Sequence, residues 1–144
     1  MRTKEIGLCL IFALTLASGA GAASGEAGPG APPKPMSPAA FGEATGISVT
    51  LIGVTAAGGL VDFRFKVLDA AKARMRLADP KSPPVLLAAD LPPLTPTLDA
   101  LRFMRFEAGR ILSILYPNVR NAVKPGTPVT VVIGDVRLEP MKAQ

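Results

Sequence analysis

The residues LVDFRFKV, positions 60 to 67, constrain the fold more than any other stretch. Val61, Phe63, Phe65 and Val67 alternate strictly with Asp62, Arg64 and Lys66. Successive side chains of a strand point to opposite faces, so this period of two describes a strand with one face in a core and one in water. The preceding GISVTLIGVTAAGG starts the same way, with Ile47, Val49 and Leu51 on one face and Ser48 and Thr50 on the other. Gly58 and Gly59 supply a turn, because glycine takes positive φ without a Cβ penalty. The two runs are expected to pair as a hairpin.

DAAKARMRLAD, residues 69 to 79, changes character. Ala, Lys, Arg, Met and Leu favour helix, Asp69 stands where an N-cap would, and Pro80 closes the segment. One or two helical turns are expected, with Met75 packing inward. PPVLLAAD reads as a short edge strand between prolines. LRFMRF, 101 to 106, is expected to be a strand. AGRILSILYPN is expected to be a central one, because Ile111, Leu112, Ile114, Leu115 and Tyr116 are apolar on both faces. Pro125 and Gly126 mark a turn, and a strand runs from Pro128 to Ile133. Gly134 and Asp135 mark a bulge or bend before Val136 to Glu139 continue the ladder.

Short strands separated by turn signals, without a long helix, pack two sheets face to face. The expected fold is all-β: an immunoglobulin-like β-sandwich of about seven strands with one short helix, over residues 46–144. Its expected core contains Val61, Phe63, Phe65, Val67, Ile111, Leu115, Val129, Val131 and Ile133.

The first 45 residues are expected to stand apart. Arg2 and Lys4 precede LCLIFALTLA, an apolar run at the length of a signal-peptide h-region and short of the ~20 residues that span a bilayer. Ala20 and Ala22 satisfy the A-x-A rule, so residues 1–22 are read as a signal peptide and the protein as exported, periplasmic or secreted, with no transmembrane span after cleavage. Cys9 is preceded by Leu8 inside the apolar run, so lipoprotein processing does not fit. Residues 23–45 are rich in Ala, Gly and Pro and read as a disordered leader.

Composition then excludes several chemistries. After cleavage the chain has neither His nor Cys, which removes Ser-His-Asp and Cys-His catalysis and disulfide bracing. Removal of Arg2, Lys4 and Glu5 leaves 14 basic and 10 acidic residues, a net charge of +4. The basic residues are scattered, and one Tyr and no Trp remain for base stacking, so no nucleic-acid partner is expected. Asp62, Asp69, Asp79, Asp90, Asp99, Glu107, Asp135 and Glu139 have no catalytic spacing, and no catalytic, cofactor-binding or metal-binding residue is assigned. No cofactor is expected. Met36, Met75, Met104 and Met141 carry soft thioethers suited to Cu(I), but form no M-x-M or M-x-x-M cluster.

GISVT…TAAGGLVDFRFKVLDAAKA and AGRILSILYPN…VKPGTPVTVVIGDVRLE are similar to stretches of a group of small exported bacterial proteins. The resemblance covers most of Gly46 to Glu139 and brings no established activity. It implies, for some relatives, a Met and His cluster before the AG strand and hence soft-metal binding. The matching LRFMRFEAG keeps Met104 and has no His. The expected function is a non-catalytic binding or accessory protein; the alternative is a periplasmic copper-handling protein with a degenerate site.

The same LRFMRFEAGR holds the candidate interaction surface: Arg102, Phe103, Met104, Arg105 and Phe106. Read as a strand, each face carries both an arginine and a large apolar group. Neither face can be buried without burying a guanidinium, which is costly unless paired. Part of the segment is therefore expected at a rim. Arginine beside exposed Phe and Met suits a protein interface, so the expected partner is an envelope protein or an anionic surface.

Overall fold

Residues 32–144 are the ones that the computed structural model describes; the expected signal peptide and the first part of the leader lie outside them. The described chain is mostly β, with eight strands in two sheets and three short helices. In chain order these are β1 (Pro35–Met36), α1 (Pro38–Thr45), β2 (Ile47–Thr55), β3 (Leu60–Val67), α2 (Ala70–Leu77), β4 (Val85–Leu87), α3 (Leu98–Arg102), β5 (Ile111–Pro117), β6 (Pro128–Ile133), β7 (Val136–Leu138) and β8 (Met141–Lys142).

The three-stranded sheet is antiparallel, in the order β2-β3-β5. Its central strand β3 behaves as its alternation dictates: Val61, Phe63, Phe65 and Val67 are fully buried, while Arg64 and Lys66 face water. The β2–β3 hairpin forms, but its register shifts at Thr50. Val49 pairs with Phe65 and Leu51 with Arg64, so Thr50 is one residue too many, and its hydroxyl donates to the Arg64 carbonyl at 3.0 Å. A bulge exchanges the faces of the residues that follow. Leu51 thus lies opposite Arg64 on the outer face, and Ile52 and Val54 turn inward opposite Phe63 and Val61.

The second sheet runs β1-β7-β6-β4, with β8 also on β6 and β1 parallel to β7. Val129, Val131 and Ile133 of β6 are fully buried, as expected, beside Leu86 of β4 and Leu138 of β7. Gly134 and Asp135 form neither bulge nor bend in one strand. They are the two-residue loop of a β6–β7 hairpin, since Ile133 pairs with Val136. Both sheets line one hydrophobic core in a sandwich-like arrangement. Within it Phe63 stacks near Phe65, with centroids 5.2 Å apart, and meets Tyr116 edge-on at 6.4 Å. The buried Tyr116 hydroxyl donates to the Pro84 carbonyl at 3.0 Å, and burial pushes its pKa up.

Four further expectations are corrected. Residues 32–45 are not a disordered leader: Ser37 caps α1 by accepting from the Ala40 N–H, Pro38 opens the helix, and Phe41 and Thr45 are buried. Gly46 closes α1 at φ 76°, and a Cβ there would lie 2.8 Å from the Asp69 carbonyl oxygen. Second, β5 pairs among the described residues with β3 alone, and Ile111 and Leu115 lie on the outer face of that sheet opposite Lys66 and Asp62, outside the core and 58% and 47% exposed. Third, LRFMRF is not a strand; α3 ends at Arg102 and the residues after it form a loop. Fourth, Met75 points outward from α2, 70% exposed, whereas Ala73 and Leu77 are buried. The helix itself starts as read, with the Asp69 carboxylate accepting from the Lys72 N–H at 3.0 Å.

Candidate functional site

A helical turn, not a strand, disposes the candidate residues. α3 is five residues long, with Asp99 in its first turn and Arg102 in its last, charges that suit the helix dipole. Leu101 and Met104 are three residues apart, a spacing that brings both to one face of a turn. Leu101 is buried and Met104 packs partly against the core. The Met104 N–H donates to the Leu101 carbonyl at 3.3 Å, which closes the turn. Phe106 is buried again two residues later.

The remaining residues are displaced outward. Phe103 is 84% exposed, and Arg102 and Arg105 beside it are exposed as well. Neither arginine is in an ion pair among the described residues; the nearby Arg110 bonds Glu107 at 3.5 Å instead. The expected mixture of arginine and apolar surface is therefore present on Arg102, Phe103 and Arg105. Met104 and Phe106 belong to the inner side. Beside the site, Ala78, Asp79, Pro80, Leu101 and Arg102 line a cleft of about 360 Å³. It lies between the end of α2 and the end of α3, and its lining holds one anion, Asp79, and one cation, Arg102, beside apolar residues.

Three of the carboxylates hold local structure. Asp62 accepts from Arg64 Nη2 at 2.7 Å and from the Ser113 hydroxyl, on the outer face of the three-stranded sheet. Asp135 is bonded to Arg76 at 2.6 Å, and this hydrogen bond holds its carboxyl below the usual carboxylate range. Asp69 caps α2. Among the described residues no three His, Cys, Asp or Glu side chains are grouped to hold a metal ion. No helix among them is long and apolar enough to cross a membrane.

One feature of the opposite kind was not legible in the sequence. Asn118 is buried and its side chain ties three backbone groups: Nδ2 donates to the Gly58 and Val123 carbonyls, each at 2.8 Å, and Oδ1 accepts from the Val123 N–H at 2.9 Å. It thereby joins the β2–β3 turn, where Ala56, Ala57 and Gly58 all have positive φ, to the loop that carries Arg120 and Asn121, also at positive φ. Such conformations persist only where their surroundings hold them. Next to this joint, Leu91, Pro92, Pro93, Leu94, Pro117 and Val119 wall an apolar groove of about 410 Å³ that no titratable side chain lines. An Asn in a loop gives no sequence signal for such a role.

Fold and surface together define a two-sheet, mostly β protein. No protein-family model, curated protein or solved structure matches the chain.

Proposed function

We propose that the chain is an exported, non-catalytic binding or accessory module of the bacterial envelope, which docks through Arg102, Phe103 and Arg105. The observation that carries this reading is the placement of Phe103. Its neighbours Leu101 and Phe106 are anchored in the core, yet its own ring is 84% exposed between two arginines without ion pairs among the described residues. Leaving such a ring in water forgoes on the order of 1.5–3 kcal/mol of burial. Aromatic and arginine side chains are also the types that carry binding energy at interfaces. The partner is an envelope protein, or an anionic surface that the two guanidinium groups and the net positive charge favour.

The immunoglobulin-like reading is supported by topology. β3 pairs with β5, while β4 pairs with β6 and β6 with β7. The chain thus changes sheet between β3 and β4, between β4 and β5, and between β5 and β6, as the B, C, E and F strands of that fold do. Export rests on the n-region, apolar run and A-x-A site of residues 1–22.

The test is the double reversal Arg102→Glu with Arg105→Glu, both exposed. The variant is expected to keep its far-UV circular dichroism and to lose retention on an envelope extract and on phosphatidylglycerol vesicles. Unchanged retention on both supports refutes the assignment.

A further inference from the structure

The two edges of the three-stranded sheet are treated differently. On the β2 edge, the Val54 N–H donates to the Gln144 carbonyl at 2.7 Å, and the Gln144 N–H donates to the Ile52 carbonyl at 2.9 Å. The edge strand β4 of the other sheet is likewise bridged to Leu94, through bonds of 3.0 and 2.9 Å. Along β5 no second strand pairs among the described residues. The direction of its free groups follows from the ladder. Val67 N–H donates to Arg110 C=O and Asn118 N–H to Gly59 C=O, so the even-numbered residues of β5 face β3. Ile111, Ser113 and Leu115 therefore turn their N–H and C=O groups away from it.

Edge strands in natural proteins are usually blunted by lysine, proline or a bulge. β5 has none of these before Pro117, and ILSILYP holds no charge. The same three outward residues present Ile111 and Leu115 exposed on one face, placed symmetrically about Ser113. We propose that this edge pairs with β5 of a second copy of the chain, antiparallel and centred on Ser113, to form a continuous six-stranded sheet.

The register supports a second copy as occupant. An antiparallel two-fold at Ser113 sets Ile111 against Leu115 of the partner copy and Ser113 against its own counterpart, all as hydrogen-bonded pairs. The interface is isologous, so both copies use the same patch and the assembly closes as a dimer. From Ile111 to Leu115 no side chain in the seam is charged; at each end Arg110, already paired with Glu107 at 3.5 Å, falls opposite Tyr116 of the partner copy. The next residues on β3, Lys66 beside Ile111 and Asp62 beside Leu115, are opposite in sign, so the two outer rows across the dimer run from a cation to an anion; the central row ends in Arg64 on both sides, each guanidinium bonded to its own Asp62. The contact is small, which makes the dimer weak and concentration-dependent.

Sedimentation equilibrium of the full chain, from about 5 to about 500 µM, covers the range expected of so small a contact. The wild type is expected to shift from monomer to dimer across it. Ile111→Lys with Leu115→Lys is expected to stay monomeric with an unchanged circular dichroism spectrum. A second variant guards against a folding defect in the first. Hydrogen-bonded pairs place Cα atoms about 5.5 Å apart, within the span of a disulfide. Ser113→Cys in a Cys9→Ser background should therefore oxidise to a linked dimer about tenfold faster than a cysteine placed at the exposed Ala71 of α2, because pairing raises the local thiol concentration. A wild type that remains monomeric at the highest concentration, or equal oxidation rates for Ser113→Cys and Ala71→Cys, overturns the proposal.

Discussion

Phe63 and Phe103 carry the same ring to opposite ends of the exposure scale, 0% and 84%. Phe63 sits in the middle of β3, at the centre of a sheet, where every second residue is apolar and every one of those is buried. Phe103 follows a short helix and falls between the inward-facing Leu101 and Met104. The difference shows that hydrophobicity alone does not place a ring. The period of its surroundings does, and a ring that the period throws outward is available for contacts beyond the chain.

The largest effect is expected at Phe63. Phe63→Ala removes a fully buried ring that touches Phe65 and Tyr116, and should cost about 3–5 kcal/mol in urea unfolding, since the cavity cannot collapse completely. A loss under about 1 kcal/mol would mean that the β3 face is not the core. Asn118→Ala tests the joint between the two strained loops. It strands the Gly58 carbonyl and both backbone groups of Val123, and should cost about 2–3 kcal/mol, with early proteolytic cleavage near residues 118–123.

At the mild end lies Asp135, which is bonded to Arg76 in the exposed β6–β7 loop. Its folded-state pKa is lowered by that hydrogen bond, so its contribution is present above the unfolded carboxylate pKa and is lost as pH falls through the folded value. Because Asp135 is largely exposed, Asp135→Asn should cost at most about 0.5 kcal/mol near neutral pH. The difference from wild type should vanish in acid, as read from denaturation midpoints across the carboxylate range.

The same contrast explains what the sequence could and could not reveal. β3 was legible because a half-buried strand writes its two faces as a period of two. α2 was legible through its Asp69 cap. β5 was misread because ILSILY is apolar on both faces, a pattern shared by a doubly covered strand and by an edge strand with an apolar outer face. The outcome depends on which strands flank it, and that is settled by distant residues. α1 hides in an Ala, Gly and Pro-rich stretch, but its boundaries are written there: Ser37 and Pro38 at the start, Gly46 at the end. In the candidate site the mixed composition of the segment was legible, and it correctly implied that some of it is exposed. Its helical turn was missed, although the three-residue spacing of Leu101 and Met104 signals it. That turn selects Arg102, Phe103 and Arg105 for the surface and withdraws Phe106.

Phe103 is proposed to be spare for folding and to serve binding, and Phe103→Ala tests both on one protein. Its unfolding free energy should stay within about 0.5 kcal/mol of wild type, as for an exposed surface position. Its retention on the envelope support that holds the wild type should fall sharply. A loss of more than about 1 kcal/mol would make Phe103 a folding residue. Undiminished retention at wild-type stability would contradict its role in binding.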